Sequence, residues 1–129
     1  MPHVVIEYSA NLDGLVDFEA LIEAVRVAAV ETGVFPLGGI RVRAHRADHA
    51  VIADGNPAHA FLDATLKIGT GRDLETRKRA GAHVFQALSR ALDPAFEKTT
   101  VALSCEIREI DPELNWKRNS IHDALKQSA

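Results

Sequence analysis

The residue whose chemistry depends most on its place in the chain is Pro2. In Met1-Pro2-His3-Val4-Val5-Ile6-Glu7-Tyr8-Ser9 the apolar run Val4-Val5-Ile6 begins almost at once, so the chain enters a strand within a few residues. A chain end frays unless a sheet or a docked helix ties it down; here the strand would hold Pro2 in place. Initiator methionine is removed when the next residue is small, and proline qualifies. The chain would then open on a secondary amine, free of amide resonance and able to act as a base or a nucleophile. The plainer alternative is that Pro2 only starts the strand, where its missing N–H costs nothing.

A second group of chemical side chains lies at 40–45. Strand alternation sets Ile40, Val42 and Ala44 on one face and Arg41, Arg43 and His45 on the other. Side chains on one face of a strand stand about 7 Å apart, a spacing that lets two guanidiniums grip separate carboxylates of one small molecule, each through a bidentate fork. The same pattern also describes a solvated basic edge. Arg72 adds a cation after Gly69-Thr70-Gly71 and ahead of a predicted helix, where backbone N–H groups favour an anion. Its competing role is a surface ion pair, since the stretch lacks the ending of a P-loop and the third glycine of a dinucleotide fingerprint. Trp116, the single tryptophan, either caps the core or walls a pocket. His3, His45, His49, His59, His83 and His122 are scattered in a way that argues against a metal site. Cys105 falls on the apolar register of a strand and reads as an inert core thiol. No nucleophilic serine elbow is present.

The elements that would position these groups repeat. Residues 3–8 read as a strand, and Asp17 can cap a helix whose apolar positions are Phe18, Leu21, Ile22, Val25 and Ala29. Thr32-Gly33 ends it, with Gly33 suited to a left-handed C-terminal position. A second strand spans Ile40 to His45, with Ala50-Val51-Ile52 expected to return beside it as a hairpin before the turn Asp54-Gly55-Asn56-Pro57. The series then recurs about 58 residues on: a strand at 60–68, a helix capped by Asp73 and running to about Leu92, a stop at Asp93-Pro94, and a long strand at 99–110. Strand–helix–strand units pair their strands in parallel through a helical crossover. The expected fold is therefore α/β (α+β), two β-α-β units forming a four-stranded mixed sheet with both helices on one face. A single domain would cover 1–129, with pseudo-repeats at about 2–57 and 58–112 and a tail at 113–129. No helix remains for the other face of the sheet, which is expected to be apolar and packed between subunits.

Composition narrows the function classes. The chain has 129 residues, 26% of them charged, and a net charge of −3. That balance disfavours nucleic acid or an anionic membrane as the main partner. One cysteine allows no internal disulfide. Glu7 interrupts the first apolar run and no stretch is long enough to span a bilayer, so neither a signal peptide nor a membrane segment is expected and the location is expected to be cytoplasmic.

The segments MPHVVIEYS, TGVFPLGGIRVRAH, ADG at 53–55, LKIGTGR and LSCEIREIDPELNWKRNSIH occur in an order, and over a length, that resembles the 5-carboxymethyl-2-hydroxymuconate isomerase family of the tautomerase superfamily. The resemblance implies two β-α-β units, a homotrimer packed through its sheets, no cofactor, and an amino-terminal proline base, which falls on Pro2. Cationic substrate binders carry over to Arg41, Arg43 and Arg72, and arginines would also stabilise the charge that builds on the dienolate oxygen. Arg41 is taken with Pro2 as catalytic, and Arg43, Arg72, His45 and Trp116 as substrate-binding, the last two from the residues themselves and not from the resemblance. The implied substrate is a small polycarboxylate dienol from the breakdown of a hydroxylated phenylacetate. Neutral Pro2 would take the 2-hydroxyl proton and return one to carbon five, with no metal or nucleotide required. Two rivals stay open: another tautomerase activity on a related 2-hydroxydienoate or 2-oxo acid, and a non-catalytic trimeric module that holds a carboxylate ligand.

Overall fold

The computed structural model describes residues 2–128. Removal of Met1, on which the chemistry of Pro2 turns, lies outside the described residues. In chain order the elements are β1 (His3–Ser9), α1 (Phe18–Glu31), β2 (Arg41–Ala47), β3 (Ala60–Gly69), α2 (Leu74–Ala91), α3 (Asp93–Lys98), β4 (Val101–Ile110) and α4 (Ile121–Ser128). Short 3-10 turns stand at Ala10–Leu12, Leu37–Gly39 and Pro112–Leu114.

The helices begin where local chemistry satisfies their first N–H groups. Asp17 Oδ1 accepts from the Ala20 amide at 3.1 Å, and Asp73 Oδ1 from the Thr76 amide at 2.8 Å. Gly33, at φ +71°, carries the chain out of α1 in a conformation that side chains disfavour. Leu21, Val25 and Ala29 of α1 and Ala80, Val84 and Leu88 of α2 recur at helical spacing and bury one stripe of each helix against Val4, Ile6, Leu62, Ala64 and Leu66 of the sheet.

The sheet is four-stranded in the order β2-β1-β3-β4. β1 runs parallel to β2 and β3 parallel to β4, while the two units meet antiparallel through β1 and β3. The sheet is therefore mixed, and both crossover helices lie on one face, as the repeat of the sequence implies. β1 sits inside the sheet, which puts Pro2 at the head of an inner strand, a position proline tolerates.

Three expectations need correction. Ala50-Val51-Ile52 forms no return strand; Val51 is 90% exposed. Polar side chains satisfy this backbone locally instead: Asp54 Oδ1 accepts from the Asn56 amide at 3.0 Å and Asn56 Oδ1 from the Ala58 amide at 2.9 Å. Asp93-Pro94 ends α2 but also starts α3, since proline fits the first turn of a helix. The helix-free face of the sheet carries neither crossover helix and is mostly polar, not apolar. It presents His3, Glu7, Arg41, Arg43, Lys67 and Glu106, with Val5 and Phe61 among them. Strict alternation sends the large aliphatic residues to the helices and leaves the charged ones opposite. Among the described residues no helix is long and apolar enough to cross a membrane.

Candidate active site

The site grows from the first residues of β1 and β2. Pro2 is fully buried. The Arg41 amide donates to the Pro2 carbonyl at 3.1 Å, which fixes the two strand heads side by side. Parallel register then sets His3 opposite Arg41, Val5 opposite Arg43 and Glu7 opposite His45.

His3 stands between the two guanidiniums. Arg41 Nη1 lies 2.8 Å from its Nε2, and Arg43 Nη1 lies 3.4 Å from its Nδ1. A guanidinium only donates, so Nε2 accepts from Arg41 and the ring is neutral. Burial first, and then the charges of Arg41, Arg43 and Lys67, hold the imidazole below the usual histidine range. Lys67 faces His3 directly across the β1–β3 pairing.

Above this cluster is a cavity of about 410 Å³, walled by His3, Arg41 and the tail segment from Asn115 to Asn119. The tail is tied down at its far end. Asn119 Nδ2 donates to the Gly38 carbonyl at 2.9 Å, and Asn119 Oδ1 accepts from the Ile121 amide at 2.7 Å, starting α4. His122 of α4 packs against Gly38, so that a Cβ added there would come within 2.5 Å of its Nδ1. Gly38→Ala should therefore push α4 and the cavity wall outward, at a cost of about 1–3 kcal/mol. Denaturant unfolding checks this, and adding His122→Ala should restore most of the loss; a double variant as unstable as the single one would contradict the packing.

The remaining candidates occupy different settings. Arg72 is held by backbone: its Nε and Nη2 donate to the Val34 carbonyl at 3.1 and 2.9 Å, and its Nη1 to the Gly69 carbonyl at 3.2 Å. Those three bonds leave two of the five guanidinium N–H groups for a ligand. The same guanidinium lies 5.1 Å over the Phe35 ring. His45 shares the face of Arg41 but stands four residues along the strand, about 13 Å away. Trp116 is 83% exposed and forms part of the cavity wall. Cys105 is pushed up to about 11, chiefly by burial, and is a thiol at neutral pH.

A larger cavity of about 630 Å³ lies between α1 and α2, beside Ala24, Val27, His83 and Ala87, and includes none of the candidate residues. Among the described residues no three His, Cys, Asp or Glu side chains gather to hold a metal. Sequence reasoning passed over His3, Lys67, Lys117 and Arg118, all of which face or border the cluster. His3 and Lys67 carry the alternation that would place them on this face, but the register that joins them to Arg41 is a property of the folded sheet. Lys117 and Arg118 have only their nearness to Trp116 as a signal.

A family model described as 5-carboxymethyl-2-hydroxymuconate isomerase matches residues 2–125, from the buried proline through the tail that walls the cavity. The chain belongs to that family. A curated Escherichia coli relative named 5-carboxymethyl-2-hydroxymuconate Delta-isomerase is 40% identical over 126 residues, covering 98% of this chain and 100% of the relative. The crystal structure of a 5-carboxymethyl-2-hydroxymuconate isomerase from Deinococcus radiodurans R1 superposes with a TM-score of 0.90 at 33% identity, over 96% of this chain and 93% of that one. A more distant likeness, at 21% identity and a TM-score of 0.58 over 84% and 85% of the two chains, is to a fused 4-OT protein, and it shows a shared fold.

Proposed function

We propose that this chain is a cofactor-independent isomerase that converts the dienol 5-carboxymethyl-2-hydroxymuconate to its conjugated 2-oxo isomer, with the Pro2 nitrogen as the proton shuttle. The observation that carries the reading is the junction at the strand heads: a buried Pro2 bonded through its carbonyl to Arg41, with Arg41 and Arg43 turned to the same face. Once Met1 is gone, the neutral amine takes the 2-hydroxyl proton, negative charge spreads over the dienolate, and the same nitrogen returns a proton to carbon five. The amine ends as it began. Arg41 stabilises the charge on the dienolate oxygen, where fixed donors act most strongly. Arg43 and the remaining N–H groups of Arg72 hold carboxylates of the substrate, Trp116 closes over its carbon chain, and His45 extends the cationic face.

Ultraviolet-monitored ketonisation tests this. Protein starting at Pro2 should turn over the carboxymethyl substrate faster than 2-hydroxymuconate, which lacks one carboxylate for the cationic cluster. Preference for the smaller dienol would move the reading to another tautomerase activity, and no turnover of either would favour a binding module.

The proposal includes a homotrimer. β4 is an edge strand whose aliphatic side chains Val101, Leu103, Cys105 and Ile107 are only half-buried, beside a cavity of about 440 Å³ that reaches Phe85. A neighbouring subunit would cover that edge and its unpaired backbone groups. Sedimentation at micromolar concentration should then give three times the 14.0 kDa chain mass; a stable monomer would contradict it.

A further inference from the structure

The proposed reaction gives His3 no part, yet His3 is the side chain that both sheet arginines approach. In the ligand-free protein its Nε2 accepts from Arg41, and this bond requires an unprotonated ring. Among the described residues, the charged groups that the strand pairing and the cavity wall bring to it are cations: Arg41 and Arg43 from β2, Lys67 from β3, and Lys117 and Arg118 across the cavity. The carboxylates of the same face stand further along the sheet. Glu7 is opposite His45, Asp63 accepts from Ser104 and Glu106 is paired with Arg108.

A polycarboxylate entering this cavity changes the balance twice. Its charge offsets the cations that, after burial, help to keep the ring unprotonated, and a carboxylate oxygen competes with Nε2 for the Arg41 N–H. We propose that His3 takes up one proton from solvent when a polycarboxylate binds, so that the imidazole changes from an acceptor for Arg41 into a third cationic donor to the ligand. The inference rests on the reading of this cavity as the substrate site. In the free protein the lowered affinity of the ring for a proton fits this exchange. The sign follows from linkage: the bound-state pKa of His3 exceeds the free-state value, so binding is tightest below the free value. Between the two values the dissociation constant rises by up to tenfold per pH unit. That trend opposes the one expected of Pro2, whose neutral form is the base and whose contribution grows as pH rises.

Calorimetric titration with trans,trans-muconate tests the proposal, because its carboxylates stay ionised near pH 6–7 where histidine titrates. Run in two buffers of different ionisation enthalpy, the intact protein starting at Pro2 should show proton uptake approaching one per chain. His3→Gln keeps an acceptor for Arg41 but cannot titrate there; its uptake should fall to whatever the Pro2 amine alone contributes, and the pH dependence of affinity should flatten. Equal uptake by His3→Gln and the unaltered protein would overturn the proposal. If that variant does not fold, the ¹⁵N imidazole titration of the unaltered protein decides: muconate should move the His3 midpoint upward, and an unmoved midpoint would overturn it. Absence of dienol turnover would remove the isomerase reading but leave the muconate result intact, so the two failures are distinguishable.

Discussion

Protein that retains Met1, or carries any tag ahead of it, is expected to fold and assemble normally but to isomerise its substrate about 10²–10⁴-fold more slowly, the usual cost of losing a positioned general base. The reason is local. In a Met1-Pro2 peptide bond the prolyl nitrogen is a tertiary amide, its lone pair delocalised and without useful basicity. Nothing else need change, because the contacts that fix Pro2 are its burial and the bond from the Arg41 amide to its carbonyl, and both survive. Pro2→Ala should be milder than retention of Met1, since a primary amine would still stand at the head of β1. Mass spectrometry of each preparation gives the fraction that begins at Pro2, and activity should scale with that fraction.

The second large effect is expected at Arg41. Arg41→Ala removes a guanidinium that meets His3 and lines the cavity, and with it the charge-assisted contact proposed to the substrate. Hydrogen bonds to charged groups contribute about 1.5–3 kcal/mol, so kcat/KM should fall by roughly 10- to 150-fold. The fall should be in kcat as well as KM, because the contact strengthens as charge builds on the dienolate oxygen. Arg43→Ala should act mainly on KM, its guanidinium being one strand repeat further from Pro2. The fold should tolerate both changes, since these side chains leave the sheet on the face away from Val4, Ile6 and the helices. Kinetics unchanged with both arginines replaced would make this face a solvated basic edge.

Much of the architecture could be read from the chain because local signals agreed with one another. Asp17 and Asp73 cap where the apolar stripes begin, Gly33 leaves α1 in the left-handed region, and alternation at 40–45 separates Val42 and Ala44 from Arg41 and Arg43. The errors fell where local pattern competes with tertiary context. Val51 looks like strand, but Asp54, Asn56 and His59 bond their own loop and leave it no ladder to join. The expectation of an apolar outer face came from counting helices and not from reading alternation through β3 and β4, where Asp63, Lys67, Glu106 and Arg108 all fall on that face.

The candidate cluster was legible in part, and for a physical reason. Arg41 and Arg43 announce themselves by spacing within one strand. Their partners do not: His3 and Lys67 reach them only through the parallel pairing of β1 with β2 and the antiparallel pairing with β3. Arg72 illustrates the converse. Its position before α2 suggested an anion site at a helix start, but most of its donors go to the carbonyls of Val34 and Gly69, which no spacing rule foretells.

The claim that Pro2 is the base is tested most directly by ¹⁵N NMR of the prolyl nitrogen, read beside the pH profile of kcat/KM on the same sample. Terminal amines ordinarily titrate at about 7.7–8.0, and nearby arginines favour the neutral form. The account predicts an amine resonance whose midpoint lies below that range and coincides with the pH at which kcat/KM rises. An active sample whose prolyl nitrogen shows no titration, or whose kinetic midpoint stands apart from that of the amine, would contradict it.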